Sequence, residues 1–346
     1  NVPDRYTSDL WVHGSHAYTG TWGGAKGRLG NVVSVWRLNA SGAPAAAGEL
    51  EIPGITTVSD VEVSADGELL LFSAEGGTQE GLFLYDLTDP EAPAPLDHEV
   101  VAAGIHTATL AEIGGRRYAF AARNPPGPAL LIYDVTDAAA MSLAATVPVP
   151  ANYGIHDTFV REGIAFVFAW NTGVILYDVG NGLRGGTPSD PVEISRLQPA
   201  SNGVPGGPAV HNGWWFHNPV SGERRYLFLG QEGPGVVGSS SSGDIHVVDV
   251  SDLTAPREVA FFRLAGAGTH NFWMDEERQI LYAAYYNGGV VALDVSGELS
   301  GDLSDRRVGQ VRPGGEEGTY TWGVQLAGGS LYASDMLTGL WQIAVE

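Results

Sequence analysis

The sequence contains no cysteine and a single lysine, Lys26, and it has no long run of apolar residues. Without cysteine the chain forms neither disulfides nor thiolate metal sites. A helix that crosses a membrane needs about 18 or more consecutive apolar residues, so we predict no membrane span. Apolar residues also fail to recur with a helical period over any useful length, which favours strands as the regular structure.

Positive charge is the second scarcity, because 18 Lys+Arg stand against 40 Asp+Glu and give a formal net charge of −22. Such an acidic surface repels nucleic acid and anionic lipid, so we exclude both as partners. Familiar catalytic motifs are missing too: there is no P-loop, no Gly-x-Ser-x-Gly elbow and no His-Glu-x-x-His. The Gly-x-Gly sequences fall in turns between predicted strands and carry no nucleotide or flavin signal.

The first residue is Asn1 rather than Met. We interpret the chain as processed, with a signal peptide removed. The expected location is therefore extracytoplasmic, in the periplasm, at the cell surface or secreted.

A unit of roughly fifty residues recurs along the chain, and residues 154–179 show it most clearly. They predict three short strands, 156–160, 164–170 and 174–179, separated by a Glu-Gly turn and an Asn-Thr-Gly turn. The end of the third strand marks each copy. The seven copies are Val35-Trp-Arg-Leu, Leu84-Tyr-Asp-Leu, Ile132-Tyr-Asp-Val, Leu176-Tyr-Asp-Val, Val247-Val-Asp-Val, Ala292-Leu-Asp-Val and Gln342-Ile-Ala-Val.

A fourth apolar strand follows several of these anchors, so each unit reads as a four-stranded sheet. Seven such units predict an all-β fold, a seven-bladed β-propeller of antiparallel blades in a single domain. The last unit lacks a fourth strand, and we expect residues 1–6 to pair with it and close the ring. The predicted blades are 7–53, 54–101, 102–150, 151–200, 206–265, 266–313, and 317–346 together with 1–6.

The repeat resembles that of the LVIVD-repeat β-propeller proteins. The likeness rests on Leu131-Ile-Tyr-Asp-Val-Thr-Asp and Val247-Val-Asp-Val-Ser-Asp-Leu-Thr-Ala-Pro, in which an apolar strand ending in Asp precedes a turn rich in Asp or Pro. The resemblance covers essentially the whole chain and implies an exported bacterial propeller. It implies no particular activity, since this fold hosts many functions.

Alignment of the seven units places four histidines at one position, the start of the innermost strand. The column reads Ser8, Ser59, His106, His156, His211, His270 and Thr321. Innermost strands line the central channel, so we expect four imidazoles at one mouth of it. Imidazole ligands without thiolate suit Fe, Cu or Zn better than Ca or Mg. Two other interpretations stay open: structural histidines inherited from one ancestral repeat, and a substrate site without metal.

Neighbouring positions supply the other candidate site residues. Asp60 and Asp157 directly follow the column and are candidates for ligand binding or for orienting the imidazoles. The ends of the second strands are expected at the same mouth. There Glu75 and Glu232 are the candidate acid/base residues, and the candidate ligand-binding residues are Arg123, Trp170, Tyr286 and Asp335.

Several further residues receive a structural interpretation. Trp214-Trp215 and Phe272-Trp273 are interpreted as packing between blades. His98 and His246 are placed on outer strands and expected to be solvated. Residues 230–243, with four consecutive serines, are interpreted as a mobile surface excursion.

Two functions follow from these patterns. The first is an exported binding or assembly module that presents a site for a protein, polymer or small molecule at the channel mouth. The alternative is a transition-metal-dependent enzyme, of the oxidoreductase type, with a four-histidine site on the propeller axis. The four-histidine column favours the second and the absence of catalytic motifs favours the first.

Overall fold

A computed structural model of the chain describes residues 4–24, 27–39, 42–200, 207–315 and 318–345. Within these ranges the regular structure is almost entirely β-strand, with a 3₁₀ turn at Ser304–Arg306 and no α-helix. In this part of the chain no helix is long and apolar enough to cross a membrane.

The first four sheets are four-stranded, antiparallel, and ordered as the chain runs. Their strands are β1 (Tyr6–His13), β2 (His16–Trp22), β3 (Val32–Asn39) and β4 (Gly42–Glu51); β5 (Ile55–Val63), β6 (Leu69–Gly77), β7 (Gly81–Asp86) and β8 (Ala94–Val100); β9 (Ile105–Ile113), β10 (Arg116–Arg123), β11 (Ala129–Asp134) and β12 (Ser142–Pro148); β13 (Asp157–Arg161), β14 (Ile164–Phe168), β15 (Val174–Asp178) and β16 (Val192–Leu197).

The last three sheets keep this plan with local changes. The fifth sheet has an inserted two-stranded hairpin. It also gains a fifth strand, which runs parallel to its fourth and comes from the chain between the third and fourth strands of the sixth blade. The seventh sheet has three strands within the described residues. The strands are β17 (Val210–Trp215), β18 (Tyr226–Gln231), β19 (Gly233–Val236), β20 (Ser240–Ser242), β21 (Ile245–Asp249) and β22 (Arg257–Phe262); β23 (Phe272–Asp275), β24 (Ile280–Ala284), β25 (Val290–Asp294), β26 (Gly301–Asp302) and β27 (Arg307–Val311); β28 (Thr321–Ala327), β29 (Ser330–Asp335) and β30 (Gly339–Ala344).

Tight turns between the strands account for much of the glycine content. In the fourth blade Arg161 pairs with Ile164, so only Glu162 and Gly163 connect β13 to β14. Both have positive φ, 51° and 73°. Two consecutive residues with positive φ form the turn whose twist matches that of the flanking strands, and glycine adopts it without strain.

Apolar side chains fill the space between neighbouring blades. The strands carry apolar residues on both faces, and each boundary between blades has its own buried cluster. Between the third and fourth blades, for example, Phe120, Ile132, Val167 and Ile175 are fully buried. Each sheet therefore buries its faces only by stacking on two neighbours, which makes the ring the stable arrangement. The predicted seven-bladed all-β propeller is confirmed.

Contacts between the first and last blades close the ring. The backbone N–H of Thr7 donates to the carbonyl of Met336 (3.2 Å). The Gln325 side chain accepts from the N–H of Val12 (2.6 Å) and donates to its carbonyl (3.0 Å). Of the segment 1–6 expected to pair with the last blade, residues 1–3 lie outside the described residues, and Tyr6 belongs to β1, where it pairs with Trp22.

Some local expectations need correction. His246 is completely buried and its Nδ1 lies 2.7 Å from a Glu258 carboxylate oxygen, so it is not solvated. Trp215 and Phe272 are buried, but Trp214 and Trp273 are only half-buried and line the central channel. The 230–243 segment contains the β19–β20 hairpin, and the Ser241 side chain hydrogen-bonds this hairpin to the sixth blade.

Candidate metal centre

The first strand of each blade is innermost, and local irregularities set the direction of its side chains. The pairing of β17 with β18 shifts between Val210 and Asn212, at His211. Shifts also occur in β5 at Ser59, in β9 between Ile105 and Ala108, where His106 lies, and in β28 at Trp322. A bulge inserts an unpaired residue and re-aims its side chain, which explains the direction of the His106 and His211 side chains. His156 and His270 instead precede β13 and β23, where no strand alternation applies.

The four predicted histidines come together on the propeller axis. The ring centroids of His106 and His156 are 4.7 Å apart, those of His156 and His211 are 5.6 Å apart, and those of His211 and His270 are 4.0 Å apart. Two overlapping groups, which share His211, have ligand atoms that all lie within 4.8 Å of one another. They are His106, His156 and His211, and His211, Glu232 and His270.

Glu232 brings an oxygen into this cluster. It follows β18, is 6% exposed, and its N–H donates to the carbonyl of Ala209 (2.9 Å). Its Oε2 lies 3.8 Å from His156 Nδ1 and 3.7 Å from His211 Nε2, while Oε1 accepts a hydrogen bond from the Tyr286 hydroxyl. Burial raises the pKa of Glu232 to about 7, although the Tyr286 hydrogen bond and the charge of His106 oppose the shift.

A second carboxylate orients His106. Glu75, at the end of β6, contacts His106 Nδ1 and also accepts a hydrogen bond from Asn124 Nδ2 (3.1 Å). Burial disfavours the charged imidazole, but the charge and hydrogen bond of Glu75 prevail and raise the pKa of His106. A carboxylate on one ring nitrogen fixes the imidazole and leaves the other nitrogen for a ligand, as in carboxylate–histidine–metal arrangements.

The other three histidines each retain a nitrogen without a partner. Nδ1 of His156, His211 and His270 is buried and has no hydrogen-bond partner among the described residues. Burial and the neighbouring imidazoles hold the pKa of each well below its ordinary value. These rings are therefore neutral at neutral pH, which is the protonation state that ligates metals.

Aromatic side chains pack against the histidines at the channel mouth. The His156 ring packs against Trp170 with ring centroids 4.1 Å apart and the planes tilted by 30°, and the His270 ring packs against Trp322 at the same distance with a tilt of 40°. Trp170 and Tyr286 both have positive φ, 44° and 40°, which is rare for bulky residues. Their blades hold this conformation through backbone bridges to Val210 and Thr321. Strained residues of this kind concentrate at functional sites.

The remaining predicted residues lie outside the cluster or bond elsewhere. Asp60 and Asp157 face a cavity further along the channel, on the far side of the histidines from the aromatic residues. The Arg123 guanidinium donates to the carbonyl of Gly127 in its own hairpin. Asp335 is fully buried, and its carboxylate accepts bonds from the N–H groups of Tyr320, Leu337 and Thr338.

Three residues that contact the histidine cluster or its carboxylates were not predicted from the sequence. Asn124 reaches Glu75 from the loop after β10, and the carbonyl of Tyr153 lies 3.3 Å from His156 Nε2. Trp322 follows Thr321 of the histidine column, and its contact with His270 depends on the bulge between Thr321 and Gly323. None of these residues belongs to a repeated motif, so no sequence signal marks them.

No family model matches the chain, and no curated protein matches it in sequence. The chain is similar in structure to the β-propeller domain of Cps50 (Swd1) from Myceliophteria thermophila, determined by crystallography. The TM-score is 0.66 at 14% sequence identity, over 99% of this chain and 98% of that one. A likeness at this identity shows the propeller fold alone.

Proposed function

We propose that this protein is a transition-metal-dependent enzyme whose ion is held on the propeller axis. One observation carries the proposal: two overlapping groups that share His211 each place three ligand atoms within 4.8 Å of one another, and they are His106, His156 and His211, and His211, Glu232 and His270. The proposed ligands are His106, His156, His211 and His270.

The donor set supports Fe, Cu or Zn. Imidazole nitrogens suit these ions, while Ca²⁺ and Mg²⁺ prefer sets made of oxygen. A buried nitrogen without a partner costs free energy, about 1–3 kcal/mol for a typical polar group, and an ion would remove that cost for the three orphaned rings. The ion would supply Lewis-acid or redox chemistry at the channel mouth.

Two carboxylates have distinct roles in this proposal. Glu232 is the acid/base residue, because a pKa of about 7 lets it accept and release a proton at neutral pH. The Tyr286 hydroxyl fixes its orientation. Glu75 is a positioning residue that acts through His106, since it contacts that ring and not the centre of the cluster.

Elemental analysis of the purified chain tests the proposal. After growth with Fe, Cu and Zn supplied, we expect about one transition-metal ion per chain, because the two groups of ligand atoms share His211. The double variant His156→Ala, His211→Ala should lose the ion. Its matched control is His98→Ala, His217→Ala, which removes two imidazoles outside the cluster and should retain it.

Two results would contradict the proposal. One is a folded wild-type chain with no stoichiometric metal under all three growth conditions. The other is equal metal content in the two double variants. Far-UV circular dichroism of each variant separates a lost site from a lost fold.

A second function, a binding or assembly module, is favoured by the β19–β20 hairpin. This hairpin stands beside the channel mouth, where Ser240 O accepts a hydrogen bond from the Tyr320 hydroxyl (3.3 Å). Its tip exposes Val236 and Val237. Propellers often present loops on one face to protein partners. If the chain isolated from its native source always migrates as a monomer without companions, this second function is excluded.

A further inference from the structure

The central channel contains a second candidate site on the far side of the histidines. A cavity of about 240 Å³ lies there, lined by the same innermost strands. Because alternate residues of a strand face the same side, each innermost strand places two side chains in the cavity, one nearer to the histidines and one deeper in the channel. The nearer layer holds Asp9, Asp60 and Asp157. The deeper layer, two residues further along each strand, holds four aromatic rings and the Glu62 carboxyl group.

The nearer layer is rich in carboxyl groups, and the basic group that acts on it is His106, whose charge lowers the pKa of Asp60 and of Asp157 against the effect of burial. Asp9 accepts a hydrogen bond from Asn271 Nδ2 (2.6 Å), and Asp60 accepts one from the N–H of Ala108 (2.7 Å). Among the described residues that line the cavity there is neither lysine nor arginine. Burial raises the pKa of Asp9, and the negative charge of Asp60 raises it further. Burial likewise raises the pKa of Asp60 and the pKa of Asp157.

A polar side chain in this layer lacks a partner. Thr107 lines the cavity and is 8% exposed, and its Oγ1 has no hydrogen-bond partner among the described residues. Buried hydroxyls in folded proteins nearly always have a partner, so an unsatisfied one marks a position where a ligand or water belongs.

The deeper layer is an arc of four aromatic rings. Trp11 meets Trp273 edge to face with centroids 6.1 Å apart, Trp273 and Trp214 are 5.3 Å apart, and Trp214 and Phe159 are 5.2 Å apart. All four are half-buried, so part of each ring is open to the cavity or its entrance. Arg161 lies just outside, but its guanidinium is paired with the Glu276 carboxylate.

We propose that this cavity binds a small organic cation of the methylated-ammonium class. Aromatic faces attract such a cation through their negative π-clouds, by up to about 2 kcal/mol where water is excluded. The carboxyl oxygens add attraction to the extent that they are ionised, and they require no N–H donors from the ligand. The cavity is small beside typical ligand pockets of about 300–1,000 Å³, which matches a compact headgroup.

A bare metal ion fits this cavity poorly. Metal ions need several ligand atoms around one point at bonding distance. In the described part of the chain, the groups of three or more residues close enough to do so both lie in the histidine cluster. The carboxyl groups of Asp9 and Asp60 are hydrogen-bonded to each other, and in the described part of the chain no third carboxyl group joins them at ligand distance.

Calorimetric titration of the purified full chain with choline and with tetramethylammonium tests the inference. The matched ligand control is 3,3-dimethyl-1-butanol, which has the shape of choline without its charge. We expect binding of both cations, and at least about tenfold weaker binding of the neutral alcohol, in line with the loss of cation–π and charge attraction. This comparison needs no variant, so it is unaffected by any folding defect.

Variants locate the binding. Trp273→Leu should weaken choline binding by about tenfold, as should Asp60→Asn, which keeps shape and removes charge. The control Trp341→Leu changes a tryptophan on the outer strand of the last blade, 37% exposed, and should leave binding unchanged. Tighter binding of a trimethyl-lysine peptide than of choline would identify the source of the cation as a partner's side chain.

The inference is overturned by either of two outcomes. One is no heat of binding for either cation up to about 10 mM, which corresponds to an affinity too weak to be specific. The other is equal binding of choline and its neutral isostere, since this would assign the cavity to apolar ligands. Loss of metal from the histidine cluster has no bearing on either outcome.

Discussion

At the scale of single residues, buried carboxyl groups in this propeller differ by what surrounds them. Asp178 and Asp249 stand at the ends of third strands and accept hydrogen bonds from the loops that follow, and each has a pKa of about 2. Asp9 and Asp157 stand in the channel, where burial prevails and raises the pKa. The first pair therefore stabilises the fold when ionised, whereas ionisation of the second pair opposes it.

Asp178 allows a direct test of the first class. Burial alone would raise the pKa of Asp178, but N–H groups including those of Gly180, Gly182 and Arg184 donate to it and lower the pKa from 3.8 to about 2. Its stabilisation is therefore complete above about pH 4 and is lost as the pH falls through about 2. We expect Asp178→Asn to lower the free energy of unfolding by about 1–2 kcal/mol at neutral pH.

Denaturant unfolding at several pH values provides the measurement. The difference in free energy of unfolding between wild type and variant should shrink as the pH falls from about 4 to about 2, because Asp178 then becomes protonated in the folded protein. The exposed Asp190, changed to Asn, is the control and should show no such difference. A difference that grows as the pH falls would refute the assigned role of Asp178.

The histidine column was predictable because repetition fixes it. Residues at the same position of seven similar blades occupy the same height on the channel, so His156 and His211 had to approach one another. The direction of a side chain within a blade was less predictable. Trp214 and Trp215 are adjacent and apolar, and only the bulge at His211 decides which of them faces the channel.

At the scale of elements, the insertion between β18 and β21 behaves as part of the fold. Its four consecutive serines led us to expect a mobile surface excursion, yet Ser241 is only 8% exposed. The Ser241 hydroxyl donates to Asn287 Oδ1 and accepts from the N–H of Gly268 (2.7 Å). Serine composition alone could not reveal this, because both partners lie in the sixth blade and are distant in sequence. The hairpin is thereby held beside the channel mouth.

Ser241→Ala should loosen this hairpin without unfolding the propeller. The change leaves the Gly268 N–H unpaired, and a buried unpaired donor costs about 1–2 kcal/mol. We expect amide hydrogen exchange in 233–242 to rise by about tenfold, while exchange in the other blades is unchanged. Ser239→Ala, at an exposed position in the same hairpin, should change little. Equal exchange in the two variants would show that Ser241 does not anchor the hairpin.

At the scale of the whole molecule, one axis carries both candidate sites. The innermost strands bring imidazoles to one mouth of the channel and aromatic rings towards the other, with a layer of carboxyl groups between. Seven blades hold these layers in register only if the ring stays closed. The incomplete last unit led us to expect closure by residues 1–6, whereas the closing contacts in the described residues come from Thr7 and Val12 of β1. The side-chain contact was not predicted, because Gln325 and Val12 lie 313 residues apart in the chain.

Gln325→Met tests how much closure contributes to stability. Methionine is similar in size but cannot bond the N–H and carbonyl of Val12, and Gln325 is 5% exposed. Two unpaired buried backbone groups should lower the free energy of unfolding by about 2–4 kcal/mol. Gln198→Met, which removes an exposed bond to the carbonyl of Asn171 within the fourth blade, is the matched control and should cost less than about 1 kcal/mol.

Because each blade is stabilised by two neighbours, opening one boundary should also raise hydrogen exchange most in the first and seventh blades. Uniform exchange across all seven blades would show instead that the ring unfolds as one unit wherever it is weakened.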